Sequence, residues 1–231
     1  MGELREKMLR RMELKNFSRK TIKIYLYHME KYIRYYGKSP DKLCKEEIEQ
    51  YLHYLLQSKT SSSGMSQAYS SIKFFYSVCL DRPWELDKIP RPKTAKRLPV
   101  VLSMEEVKSI FSQVSNIKHK LILMTIYSSG LRLSEALNLK LKDIDSKRME
   151  IRVEQGKGKK DRYTLLSDVI LKKLRAYYME QKPSYWLFPG KNNKPICNST
   201  IQRVFSKAKK KLRLKKKQQY THYAIALPHI S

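Results

Sequence analysis

The sequence predicts a mainly α fold in two parts: a small helical bundle, then an α+β unit with one small antiparallel hairpin or sheet. Three observations carry that prediction. Apolar residues recur at helical spacing through residues 1 to about 88. A basic stretch broken by prolines, Pro90-Arg-Pro-Lys-Thr-Ala-Lys-Arg-Leu-Pro99, follows them. Apolar and polar residues then alternate over Met149–Glu154, just ahead of a Gly-Lys-Gly turn. The division is 1–89 for the bundle, 90–101 for the linker, 102–217 for the α+β unit and 218–231 for an aberrant tail.

In the bundle, Thr21–Tyr36 puts Ile22, Tyr25, Leu26, Met29 and Ile33 on one stripe, and Gly37 ends the helix. A second helix over Glu46–Gln57 buries Ile48, Tyr51, Leu52 and Leu55. A third, from about Ser66 to Leu80, carries Ile72, Phe75, Tyr76 and Cys79. About four such helices with basic outer faces suit a bundle that grips DNA by its backbone. Tyrosine is frequent, and packing at the edge of the core explains it better than base stacking. In the linker, three prolines keep the chain extended. Its Arg91, Lys93, Lys96 and Arg97 are spaced to follow phosphates.

The second unit opens at Ser103, a good N-cap whose capping box is completed by Glu106. Leu121–Tyr127 is short enough for a buried helix core, and Gly130 ends that helix in a left-handed turn. Arg132 follows at the start of the next helix, and Glu135, three residues on, lies on the same face. A planar guanidinium held in this way suits a phosphate, though the spacing equally fits an ordinary surface ion pair. The alternating strand turns at Gly156-Lys-Gly-Lys-Lys-Asp-Arg162 and returns over Tyr163–Leu166. Ser167 caps another helix, Leu187-Phe-Pro-Gly190 forms a loop, and Ser199 caps a basic helix running to about Leu212.

Composition narrows the function. Lys and Arg number 49 against 21 acids, a formal charge of +28 spread along the chain. Such a surface attracts polyanions, so double-stranded DNA is the expected partner and a membrane is not. The start shows neither a signal-peptide nor a myristoylation pattern, giving a cytoplasmic, nucleoid-associated expectation. The three cysteines (Cys44, Cys79 and Cys197) lack metal spacing and read as buried, reduced thiols. No metal or other cofactor is expected.

The run Ser128-Ser-Gly-Leu-Arg-Leu-Ser-Glu-Ala-Leu-Asn-Leu-Lys-Leu-Lys-Asp-Ile-Asp145 resembles the first arginine box of the tyrosine recombinase (phage integrase) family. The likeness runs through Gly130, Leu131, Arg132, Ser134, Glu135, Leu137, Leu139, Asp143 and Ile144. It extends to the Leu102-Ser-Met-Glu-Glu-Val107 opening and the Leu187–Gly190 loop, in family order. The resemblance implies a SAM-like four-helix core-binding domain, then a catalytic domain that cuts and rejoins DNA through a 3′-phosphotyrosine. It implies Arg132 as the first catalytic arginine, Glu135 as its support and Lys157 as the acid that protonates the leaving 5′ oxygen. Lys159, Lys160 and Arg162 are then phosphate-contacting neighbours. Xer-like and integron-integrase-like members are the nearest in plan.

The end of the sequence departs from the family. After the basic helix a member shows His-x-Leu-Arg-His, then a second His or Trp, then the nucleophilic Tyr. Lys215–Ser231 contains no such spacing, so no nucleophile is assigned and Arg132 and Lys157 read as relics. Back-translated in permitted codons and read from one base upstream, Gln218–Ser231 can be written Ala-Thr-Val-His-Thr-Leu-Arg-His-Cys-Phe-Ala-Thr-His-Ile. The sequence-based expectation is therefore a frameshifted, C-terminally truncated and catalytically incomplete recombinase. The family assembles as a tetramer on DNA through a C-terminal segment, whereas a monomer or a DNA-dependent dimer is expected here. A non-enzymatic protein that occupies recombination sites, or antagonises an intact recombinase, is the alternative. A general basic nucleic-acid-binding protein fits less well, because it leaves the order of Arg132, Glu135 and Lys157 unexplained.

Overall fold

In the computed structural model, residues 2–82, 89, 91, 102–154 and 161–212 are described. The chain divides into two units, Met1–Arg97 and Leu98–Ser231, and the division falls inside the stretch read as a linker. Lys93, Lys96 and Arg97 of that linker, Lys157, Lys159 and Lys160 of the hairpin, and the 218–231 tail lie outside the described residues.

The first unit contains α1 (Gly2–Leu14), α2 (Arg19–Tyr36), α3 (Lys45–Gln57) and α4 (Ser62–Phe74). Each boundary has a local cause. The Ser18 hydroxyl accepts from the Thr21 N–H, and Gly37, at φ 63°, closes α2 with its N–H on the Ile33 carbonyl. Likewise, Ser61 accepts from Gly64 N–H, so α4 starts earlier than the apolar pattern alone predicts. Beyond Phe74 the helix widens over Phe75–Cys79, and Leu80 N–H bonds back to the Phe75 carbonyl at 3.2 Å.

The core of this unit corrects the sequence-based picture for some of its tyrosines. Tyr25 and Tyr36 are partly buried and Tyr27, Tyr35 and Tyr54 exposed, as edge residues are, and Tyr51 is buried as its spacing predicts, but Tyr32 and Tyr76 are also fully buried. The hydroxyls of Tyr32 and Tyr76 explain how: the two share a hydrogen bond at 3.2 Å, and Tyr76 donates to the Pro40 carbonyl at 2.6 Å. A phenol can be buried at little cost once its O–H finds a partner. The rings pack edge to face, with Tyr32 and Tyr51 centroids 5.0 Å apart. The cysteines need a second correction. Cys79 is buried, but Cys44 and Cys197 are exposed because each stands just before a helix, at an N-cap.

The second unit contains α5 (Met104–Ser112), α6 (Ile117–Ser129), α7 (Leu133–Leu137), β1 (Ile144–Asp145), β2 (Glu150–Val153), β3 (Arg162–Leu165), α8 (Asp168–Gln181) and α9 (Asn198–Lys211). The capping box at Ser103 is present, with Ser103 N–H on Glu106 at 2.9 Å and Glu106 N–H on the Ser103 hydroxyl at 3.2 Å. Past its basic first turn α6 is largely apolar, and its Leu121, Ile122, Leu123 and Ile126 are all buried. The sheet is antiparallel, in the order β1-β2-β3. Its two-residue β1 was not legible in the sequence, and β3 begins one residue earlier than the alternation suggests. α9 starts two residues early, at Asn198, with Cys197 rather than Ser199 at the cap.

The Leu187–Gly190 loop is fixed by the chain just past α7. Leu187 N–H bonds to the Leu139 carbonyl at 2.8 Å, and Leu141 N–H to the Tyr185 carbonyl at 3.0 Å. Phe188 is thereby buried in the core with Ile201 and Phe205 of α9. No helix among the described residues is long and apolar enough to cross a membrane. Among those residues, no group of three or more His, Cys, Asp or Glu side chains is arranged to hold a metal ion.

Candidate functional site

The site is built on the corner between α6 and α7. Gly130 adopts φ 58°, ψ 30°, and its N–H caps α6 on the Ile126 carbonyl. Leu131 follows, fully buried, so its apolar side chain pins the corner to the core. Arg132 then takes the N-cap position of α7 in extended backbone conformation, which carries its guanidinium out of the corner. One turn on, Glu135 closes a capping box: the Arg132 N–H donates to Glu135 Oε2 at 2.8 Å.

Two guanidiniums meet on that carboxylate. Arg132 Nη1 donates to Glu135 Oε1 at 2.8 Å. From β3, Arg162 donates through Nη1 to Oε1 at 2.9 Å and through Nη2 to Oε2 at 2.8 Å. This last pair is the bidentate fork that planar guanidinium and carboxylate groups favour. Side-chain exposure is 6% for Glu135 but 38% for Arg132 and 36% for Arg162. The anion is therefore sunk beneath two cations that reach solvent, and the cluster keeps an excess positive charge.

Electrostatics follow from this placement. Burial pushes the Glu135 carboxyl pKa upward. The bonds from Arg162, from the Arg132 N–H and from the Arg132 side chain outweigh it and hold the group down at about 2. Its carboxylate in turn raises Arg162 above the ordinary arginine value.

β3 brings Arg162 here by strand alternation. Arg162 and Thr164 point to one side, while Tyr163 and Leu165 face solvent. The Thr164 hydroxyl donates to the Ser129 carbonyl at 2.6 Å, tying the strand to the end of α6. Register does the rest, with Val153 opposite Arg162 and Ile151 opposite Thr164. The structure thus brings Arg132, Glu135 and Arg162 together. Arg91 belongs to the first unit, where its Nη2 donates to the Ser66 hydroxyl at 3.1 Å.

A second charged cluster, unforeseen in the sequence, lies around Glu154, the residue that follows β2. Glu154 pairs with Lys140, with Lys142 at 3.6 Å and with Arg152 at 3.6 Å, and Arg152 also reaches Asp161 at 3.0 Å. The one usable signal was the opposite charge at Arg152 and Glu154, two residues apart on one strand face. Close by, Asp143 is buried and accepts from the Lys140 N–H at 2.7 Å.

Comparison with known proteins identifies the setting of this corner. Residues 100–224 match the model of the phage integrase family, and residues 4–86 match the phage integrase N-terminal SAM-like domain. The chain belongs to the tyrosine recombinase family. Among curated relatives of this family, a Sinorhizobium fredii protein with an integrase/recombinase name, y4qK, is 42% identical over 219 residues, covering 94% of this chain and 71% of its own. An Escherichia coli integrase/recombinase is 35% identical over 191 residues, covering 81% of this chain and 55% of the relative. Tyrosine recombinase XerA of Pyrococcus horikoshii is 32% identical over 192 residues, covering 82% and 65%. The chain therefore spans between about half and three-quarters of the length of these relatives. The fold is shared with a lambda integrase(75-356) dimer bound to a COC′ core site, at 16% identity and a TM-score of 0.74 over 95% of this chain and 84% of that one. It is also shared with XerH site-specific recombinase bound to difH substrate, at 17% identity and a TM-score of 0.69 over 91% and 68%.

Proposed function

We propose that the chain is a DNA-binding, site-specific recombinase by descent, with Arg132 as its grip on a backbone phosphate. The observation that carries this reading is a half-exposed Arg132 seated on buried Glu135 at the Gly130 corner, in a chain of this family. In the family's chemistry a tyrosine oxygen attacks the scissile phosphorus and the bond to the 5′ oxygen breaks. The phosphate becomes a 3′-phosphotyrosine and the 5′ oxygen takes a proton. Arg132 would neutralise charge building on a non-bridging oxygen, and Lys157 would supply the proton. Glu135 holds Arg132 and touches no reacting atom.

Lys159, Lys160 and the linker residues Arg91, Lys93, Lys96 and Arg97 are assigned to phosphate contacts, which position a protein without reading sequence. The +28 charge supports double-stranded DNA as the partner, as do the DNA-bound recombinases that share the fold. Residues 213–231 hold no counterpart, in family spacing, of the second arginine, the histidines or the nucleophile. The reading is therefore of a chain that binds DNA, as a monomer or a DNA-dependent dimer, and whose residues 1–231 do not by themselves supply the nucleophile for cleavage. This behaviour equally suits a protein that competes with an intact recombinase for its sites.

A labelled duplex tests both halves. The expected result is a mobility shift that weakens steeply with salt and leaves no protein–DNA adduct on a denaturing gel. Absence of a shift at low salt would overturn the DNA reading, and an adduct that survives denaturation would overturn the inactivity. Sequencing the coding DNA past the Lys209 codon tests the frameshift directly, because the neighbouring frame must contain the missing box.

A further inference from the structure

The geometry points to Arg162 as the positioning residue of this site: its fork fixes Glu135, and the fixed carboxylate aims the Arg132 guanidinium at a single phosphate. Sequence order alone put Arg162 among the phosphate contacts, next to Lys159 and Lys160. The structure gives its fork another task. Both Nη1 and Nη2 of Arg162 lie on Glu135, within 2.9 Å, so the end-on edge of its guanidinium, one of the two that could grip a phosphate in parallel, is taken. Arg132 is placed differently. It spends one guanidinium nitrogen, Nη1, on Glu135, and among the described residues its side chain has no other hydrogen-bond partner. The remaining guanidinium donors are free to meet an anion.

Arg132 alone holds Glu135 by two bonds, its backbone N–H on Oε2 and its Nη1 on Oε1, both from the same five-residue helix. The Arg162 fork adds two parallel bonds from a separate strand, so the carboxylate plane is fixed to β3 as well as to α7. The fork is itself anchored, since Thr164 on the same strand face is tied to the Ser129 carbonyl at the start of the corner. A closed frame results, running Ser129, Thr164, Arg162, Glu135 and Arg132. A site that must meet one phosphate within a fraction of an ångström gains from such a frame.

This inference rests on the phosphate reading of Arg132, and its test separates the two. In the full chain, Arg132→Gln, Arg162→Gln, Arg162→Lys and the double Gln variant are compared for affinity to a mixed-sequence DNA duplex across a salt series. Arg132→Gln is expected to weaken binding roughly 10-fold and to lower the salt slope by about 0.9. Arg162→Gln should weaken binding in the otherwise intact chain yet add nothing to Arg132→Gln. Arg162→Lys, which keeps the charge and loses the fork, should behave like Arg162→Gln. Additive losses, each with its own drop in slope, would make Arg162 a direct phosphate contact and overturn the inference. Full rescue by Arg162→Lys would also overturn it, because charge alone would then suffice.

Side-chain NMR of ¹⁵N-arginine-labelled protein without DNA supplies the independent arm. The Arg132 guanidinium should rotate slowly about its Nε–Cζ bond in the parent chain and freely in Arg162→Gln. If Arg132→Gln leaves DNA binding unchanged, the phosphate reading fails and this spectrum alone decides the positioning role. An Arg132 signal equally restrained with and without Arg162 would sink that role. Unfolding curves for each variant identify any that are lost to misfolding, for which the lysine variant stands in.

Discussion

Glu135 and Glu154 are both carboxylates ringed by cations in the same unit, yet they do different things. Glu135 is almost wholly covered and takes three side-chain bonds of 2.8 to 2.9 Å from two guanidiniums. Glu154 is more open, and two of its three cationic neighbours stand at 3.6 Å. Around Glu154 one lysine, Lys140, is hydrogen-bonded, while Lys142 and Arg152 are held by attraction in reach of water and salt. Around Glu135 the cations are arranged by covalent geometry, with a helix cap on one side and a strand face on the other. The number of opposite charges is therefore a poor guide to a site. What separates the two is burial of the anion together with planar, two-point bonding.

Several substitutions test that contrast. The largest expected effect belongs to Glu135→Gln, which leaves two guanidiniums facing each other over a neutral amide. A loss of about 3 kcal/mol is expected, read as a lower urea midpoint with unchanged slope. The pH dependence should have the same origin. The Glu135 pKa is held at about 2, below the ordinary 4.5, so its contribution is complete above about 4.5 and fades as pH falls toward 2. Urea midpoints of the parent chain and of Glu135→Gln should therefore converge across that window. Midpoints that stay equally far apart down to the bottom of it would break the explanation.

Gly130→Ala probes the corner that presents Arg132. A Cβ at Gly130 meets nothing within 4 Å, so the cost is that of the left-handed backbone alone. About 1 kcal/mol is expected, and a loss well above that would mean the corner is also tightly packed from outside. The smallest effect is expected for Glu154→Gln. Its change in thermal midpoint should be slight and should vanish in high salt; a large, salt-resistant loss would erase the distinction drawn between the two acids.

Much of the site was legible because it is local. Gly130 as a helix stop, Ser103 with Glu106, and Arg132 with Glu135 all depend on residues within one helical turn of each other. The Arg162 fork was not legible, since Arg162 and Glu135 are 27 residues apart and meet only through strand register and the tie from Thr164 to Ser129. One clue was present: Arg162 and Thr164 share a strand face that alternates with Tyr163 and Leu165, yet both are polar. A polar inward face calls for polar partners. The bundle shows the same limit. Its helices follow from spacing, but the place of Tyr32 at the centre depends on the Tyr76 hydroxyl, 44 residues away. Side-chain partners at that range are set by packing, which no local pattern encodes.

The tie between Thr164 and Ser129 has a consequence for how the molecule comes into being. Contacts that close long loops form late, after the local turns have paid their entropy. The corner at Gly130 and the cap on Glu135 involve only residues within one helical turn of each other. Arg162 emerges some 27 residues later and can dock only once β2 and β3 have paired. During that interval Glu135 has one arginine and a half-solvated carboxylate, and the corner has its shape before it has its rigidity. The anion seat is finished only after the corner that carries it.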